Sequence, residues 1–222
     1  VNTVFLYLYT SFANDLHHVF SSKRCAGLSK KLMVKKAMKK IILLASVFAY
    51  LFGPLAFANH HIPSIRVKEL SMNGQESILE FQNTKKASVV IFISKDCPCS
   101  KGNLSYINKL AEEFKDFNFI GIHSKKNASD KELMAYIADK NLSFKTYNDP
   151  DLKIADDFKA LKTPHAFIVN TDGEVIYSGG VTSSTFPENA KSFYLKDALN
   201  EFLKTKKISN FETKTLGCYI AR

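Results

Sequence analysis

Along residues 64–70, SIRVKEL alternates polar and apolar side chains, and that period of two predicts a strand. ESILEFQ (76–82) predicts a second, after a turn at Asn73-Gly74. ASVVIFIS (87–94) does not alternate. It is a short continuous apolar, β-branched run, as a central strand buried on both faces requires. From Asn103 to Phe114, Leu104, Ile107, Leu110, Ala111 and Phe114 recur at helical spacing and make one apolar face. FNFIGIHS (117–124) predicts another strand, and Leu133, Tyr136 and Ile137 place a helix between Asp130 and Leu142. SFKTYND (143–149) predicts a short strand, and residues 150–160 a helix opened by Pro150 and Asp151. HAFIVN (165–170) and EVIYSGG (174–180) flank a TDG turn and predict a hairpin. A last helix is expected from Phe193 to Leu203, then a polar tail.

Helices that alternate with apolar strands must cover a parallel-containing sheet, and a closing hairpin makes that sheet mixed. The expected fold class is α/β, with a central mixed β-sheet flanked by helices on both faces.

Charge first suggests a different protein. The formal net charge is +10, which would suit a nucleic acid or a membrane surface. The excess sits at the N-terminus. Residues 1–58 hold 8 Lys+Arg and 1 Asp+Glu, so residues 59–222 keep 23 basic against 20 acidic, a net +3 with the lysines dispersed among acids. A nucleic-acid partner is therefore not expected.

The same region explains its own composition. From Met38, Lys39 and Lys40 precede an apolar run, Gly53-Pro54 breaks it, and Ala56-Phe57-Ala58 has small residues at cleavage spacing. This is the layout of a signal peptide over 38–58, with cleavage after Ala58 and no permanent membrane anchor. Residues 1–37 then read as translation upstream of the true start. The expected organisation is a domain over 59–204 and a C-terminal tail over 205–222 that carries Cys218. Export places the protein in a periplasmic or secreted setting, where disulfides persist. An N-terminus beginning Asn59-His60-His61 could also hold Cu(II) or Ni(II) through its amine, amides and third-position imidazole.

After residue 58 the cysteines are Cys97, Cys99 and Cys218. An odd count suits redox work better than a structural scaffold. In SKDCPCSKG (94–102), Cys97 follows the buried strand, and Pro98 stands where the first helical residue should be. Cys97 would then be the N-cap, where free N–H groups and the positive helix end favour a thiolate. Lys95 and Lys101 add to this, and Asp96 opposes it. A bridge across Cys97-Pro98-Cys99 would close a small, strained ring. Bridges 97–99, 97–218 and 99–218 all remain open. The competing readings are an inert buried pair and a Cu(I) site made by Cys97, Cys99 and His165, as in a copper chaperone. No Gly-rich phosphate loop, zinc spacing or nucleophile elbow is present, and no cofactor is called for.

VVIFISKDCPCS, followed later by KTPHAFIVNTDGEVIYSGG, resembles the thioredoxin-like redoxins, the group that includes alkyl hydroperoxide reductase and thiol-specific antioxidant proteins. The resemblance covers roughly 64–204. It implies a thioredoxin-like fold, Cys97 as nucleophile, and Thr163-Pro164 as a cis-proline pair that presents backbone to substrate. TLGCYI (215–220) is similar to the ending of some exported redoxins. The resemblance implies an extracytoplasmic thiol–disulfide oxidoreductase or antioxidant. Its partners would be protein or small-molecule disulfides and a thiol reductant, with Cys99 or Cys218 resolving. Peroxides are the alternative substrate, with Cys97 as a peroxidase cysteine. Ser94 could then replace the Thr of typical peroxiredoxins, but Val90 stands where their Pro should be, and the expected Arg is missing. Ser94 and His165 are the possible modulators of the thiol.

Overall fold

The structure is a computed structural model and describes residues 60–222 apart from 69, 71–74, 84 and 85. The segments 1–37 and 38–58, and Asn59, lie outside the described residues. Among the described residues, no helix is long and apolar enough to cross a membrane.

The strands are β1 (Ser64–Lys68), β2 (Glu76–Glu80), β3 (Ala87–Ile93), β4 (Phe117–Ser124), β5 (Lys145–Asp149), β6 (Lys162–Thr163), β7 (His165–Asn170), β8 (Val175–Gly179) and β9 (Cys218–Tyr219). The helices are α1 (Pro98–Glu113), α2 (Asp130–Lys140), α3 (Lys153–Asp157) and α4 (Tyr194–Thr205). Seven strands form one sheet in the order β2-β1-β5-β4-β3-β7-β8. β3 and β4 are parallel, as are β4 and β5, whereas β7 runs antiparallel to β3 and β8 antiparallel to β7. The expected mixed α/β sheet is what forms.

β3 is buried at every position, Ser88 included, as its almost wholly apolar run requires. Its two faces feed two cores. Val89, Ile91 and Ile93 pack with Leu104, Ile107 and Leu110 of α1 and Leu195, Leu199 and Phe202 of α4. Val90 and Phe92 pack with Phe81, Ile122, Phe158 and Phe167 on the other face. α1 and α4 thus cover one face, and α3 with its flanks covers the other.

The expected helix over 150–160 is shorter. Asp149, at the end of β5, accepts hydrogen bonds from the backbone N–H groups of Ile154 and Ala155, at 3.1 and 3.0 Å. That carboxylate opens α3, so Pro150 and Asp151 stay outside it. Leu152 turns into the left-handed region (φ 64°) and is buried. The polar tail departs from expectation too: it ends in β9, which pairs antiparallel with β6. At the other end of the domain, His61 bridges to Glu174, and its Nε2–H donates to the Asp172 carbonyl at 2.8 Å. The imidazole considered for Cu(II) is engaged there with the β7–β8 turn.

Candidate thiol site

β3 delivers the chain to Ser94 at the end of the sheet. The Ser94 N–H donates to Ser100 Oγ at 2.9 Å, and its own hydroxyl oxygen accepts from the Asp96 N–H at 3.1 Å. These bonds fold the strand-to-helix turn. Cys97 is the extended N-cap of α1 and Pro98 the first helical residue, as expected. The Cys97 side chain is only 2% exposed.

Two segments meet over that sulfur. The Thr163–Pro164 bond is cis, and Cys97 Sγ donates to the Thr163 carbonyl at 2.9 Å. Cys218, paired with Thr163 in the β6–β9 ladder, donates its N–H to Cys97 Sγ at 3.4 Å. Gly217 lets the tail come this close, because a Cβ there would lie 2.1 Å from the Thr163 carbonyl oxygen. The tail is held on both sides of this point. Thr213 Oγ1 bonds the Tyr177 hydroxyl at 2.8 Å, Ile220 is buried against the α3-side core, and Arg222 pairs with Asp156.

The electrostatics of the two thiols oppose each other. Burial pushes Cys97 up. Hydrogen bonding from the Cys218 thiol and from the Ser100 and Cys218 backbone N–H groups outweighs it, and the Cys97 pKa falls below its ordinary value. The same S–H contact pushes Cys218 up to about 11, because its proton is held by the neighbouring sulfur. Asp96, which would oppose a thiolate, is tied to Lys125 at 2.7 Å and Lys95 at 3.4 Å.

The remaining candidates are placed elsewhere. Cys99 is half-buried, and its sulfur lies 3.4 Å from Thr185 Oγ1. His165 shares the strand phase of Phe167 and Val169, so it faces the α3 side, whereas Cys97 opens the helix on the opposite face. Its Nε2 is 3.1 Å from Ser178 Oγ, and its ring lies on Phe167 at 4.2 Å between centroids. Cys97, Cys99 and His165 are not assembled as a metal set, and no group of three or more His, Cys, Asp or Glu that could hold a metal occurs among the described residues. Ser94 acts on the turn and not on the sulfur.

One supporting residue escaped the sequence reading. Asn103 Nδ2 donates to the carbonyls of Cys99, Ser184 and Thr185, and its Oδ1 accepts from the Thr182 hydroxyl at 3.0 Å. It binds the 182–185 loop to α1 beside Cys99. The signal was present: Asn103 is a polar residue in phase with Ile107 and Leu110 on an apolar stripe.

His165 yields a stability prediction. Burial, with the nearby Lys162 charge, lowers its pKa from 6.5 to about 4. Between those pH values the unfolded chain takes up a proton that the folded protein refuses, so stability falls as pH falls through this window. At about 1.4 kcal/mol per pH unit, the loss is about 3 kcal/mol by the bottom of the window. Urea unfolding of the wild type and of His165→Phe across this range checks it: the variant should have the flatter acid limb, and parallel limbs would refute the assignment.

The redoxin family profile matches residues 57–193, well over half of the chain. No curated protein sequence matches it. Among solved structures, an uncharacterized conserved protein from Geobacillus kaustophilus superposes with a TM-score of 0.65 at 21% identity, over 74% of this chain and 91% of that one. A hypothetical protein from Sinorhizobium meliloti 1021 gives 0.64 at 21% identity, over 73% and 92%. A secreted Mycobacterium tuberculosis disulfide oxidoreductase homologous to E. coli DsbE overlaps less, with a TM-score of 0.42 at 20% identity over 50% and 79%. With a thioredoxin-like mixed sheet, a cysteine at the start of α1 and a family match that spans most of the domain, the chain belongs to the redoxin family.

Proposed function

We propose that this protein is a thiol–disulfide oxidoreductase in which Cys97 attacks and Cys218 resolves. The observation that carries this reading is the contact between them: the Cys218 N–H on Cys97 Sγ, with the Cys97 pKa lowered and that of Cys218 raised. The Cys97 thiolate attacks one sulfur of a substrate disulfide, and the S–S bond breaks. A Cys97–substrate mixed disulfide forms, and the other half leaves as a thiolate that takes up a proton. Cys97 in that adduct no longer holds the Cys218 proton, so the Cys218 pKa drops and its thiolate becomes available. It attacks Cys97 Sγ and releases the second half of the substrate as a thiol. The substrate disulfide is reduced to two thiols, and the Cys97–Cys218 pair is oxidised to a disulfide. An external thiol reductant restores the pair.

Disulfides suit the site better than peroxides, because among the described residues no arginine serves the sulfur: Arg66 lies on β1, and Arg222 is bound to Asp156 and the Ala160 carbonyl. Thr163 and Pro164 would hold the substrate at the sulfur. The signal-like segment 38–58 supports an extracytoplasmic setting for a domain over 59–204.

Peptide mapping tests the assignment. After one equivalent of a small disulfide, followed by alkylation, a Cys97–Cys218 bridge with Cys99 alkylated is expected. A Cys97–Cys99 bridge, or peroxide consumption faster than disulfide exchange, would overturn it.

A further inference from the structure

The tail that brings Cys218 to the site also covers it. β9 pairs Tyr219 with Lys162 and Cys218 with Thr163, so it takes up the backbone edge of β6 beside the nucleophile. Gly217 lies against the Thr163 carbonyl, and the Cys97 sulfur beneath is almost fully buried. An extended polypeptide that brought its own disulfide to Cys97 would need a place for its backbone N–H and C=O groups. β6 is the strand edge at that point, and the tail already occupies it.

We propose that the C-terminal strap is a built-in mimic of a polypeptide substrate, and that it selects small disulfides over polypeptide disulfides. This rests on Cys97 being the attacking thiol, as proposed above. Cys218 stands where the cysteine of a bound chain would stand. A small disulfide has no backbone to pair and needs only the exposed Cys218 side chain to move aside. A polypeptide needs β9 to leave β6. The residues that set this selectivity are strap anchors away from the reacting sulfur: Ile220, buried and donating its N–H to the Leu161 carbonyl at 2.9 Å, and Arg222, on Asp156 and the Ala160 carbonyl. The Lys162 ammonium over the Tyr219 ring, at 4.9 Å, adds to the hold.

The test compares two probes at Cys97 in the full chain: hydroxyethyl disulfide, and the symmetrical disulfide of a short extended peptide with a central cysteine. In both reactions the Cys97 thiolate exchanges into the probe's S–S bond and one probe thiolate leaves, so thiol release reads the rate. A Cys218→Ser background stops the reaction at the adduct. Ile220→Ser with Arg222→Ala removes the anchors. Gly217→Ala dislodges β9 by a separate route, since its Cβ would meet the Thr163 carbonyl. Release also takes the residue-218 N–H off the Cys97 sulfur, which slows both probes alike, so the readout is the ratio of the peptide rate to the small-probe rate. Both releases should raise that ratio at least about tenfold, equivalent to about 1.4 kcal/mol of strap closure. An unchanged ratio with both rates raised would make the strap a general lid, or report loss of fold, and end the selectivity claim. An unchanged ratio otherwise, or a lower one, would end the mimicry itself. If neither probe reacts even with the strap intact, Cys97 is not the attacking thiol, and the functional reading fails first.

Discussion

Cys97→Ser is expected to abolish disulfide exchange, with a loss of more than about a thousandfold, because a hydroxyl at this site has neither the acidity nor the nucleophilicity of the thiolate it replaces. The partner substitution should behave differently. Cys218→Ser keeps the attacker and its backbone donor, so the first half-reaction proceeds and the second does not. Intact-mass measurement after addition of a small disulfide should show a stable adduct on Cys218→Ser and none on Cys97→Ser. The wild type should return to its own mass less two hydrogens, as an internal bridge. The contrast separates attacker from resolver, which a rate measurement alone does not. An adduct on Cys97→Ser would transfer the attacking role to Cys99 or Cys218.

Phe92→Ala should cost about 3–5 kcal/mol of stability, the usual range for a buried phenylalanine whose cavity cannot collapse. Phe92 is fully buried, and its ring meets Phe158 and Phe167 edge-on, each at 5.6 Å between centroids. Phe158 is fixed at the end of α3 and Phe167 on β7, each already packed in the same core, so neither ring is free to move in and fill the space. Against a total of about 5–15 kcal/mol for an ordinary domain, that is a large share. Denaturant unfolding should show a lower midpoint with an unchanged slope. Phe211→Ala is the control. Its side chain is 47% exposed, and its change should stay within about 0.5 kcal/mol. A Phe92→Ala loss no larger than the control's would mean that the aromatic cluster does not hold the sheet.

Periodicity located nearly every element because it is a local property of the chain. A β-branched run whose one polar side chain is the small Ser88 reads as a strand covered on both faces, and β3 is that strand. The junction at Cys97 was equally legible: a strand ending in Ser94 and a proline suited to the first turn of a helix leave the cysteine one place, the N-cap. The family resemblance added Thr163-Pro164, whose cis bond the structure contains. The start of α3 was misplaced for a physical reason. Pro150 and Asp151 are good opening residues, but Asp149 reaches both N–H groups from the end of β5, and that reach depends on how the strand meets the helix.

The choice of partner for Cys97 needed the folded chain. Cys99 is close in sequence, yet the helix turns its sulfur toward Thr185, while Cys218, 121 residues away, lies against the nucleophile. His165 is likewise adjacent to the cis-proline but faces the other side, because successive residues of a strand point to opposite faces. Nothing local says which face α1 will cover. The elements, the mixed α/β class and a cysteine poised at a helix start can be read from the chain alone, since each follows from side-chain period and backbone preference over a few residues. Closure of the tail over that cysteine emerges on folding, because a β6–β9 pairing between distant segments is set by packing of Ile220, Gly217 and Arg222 on surfaces that do not exist until the sheet has formed.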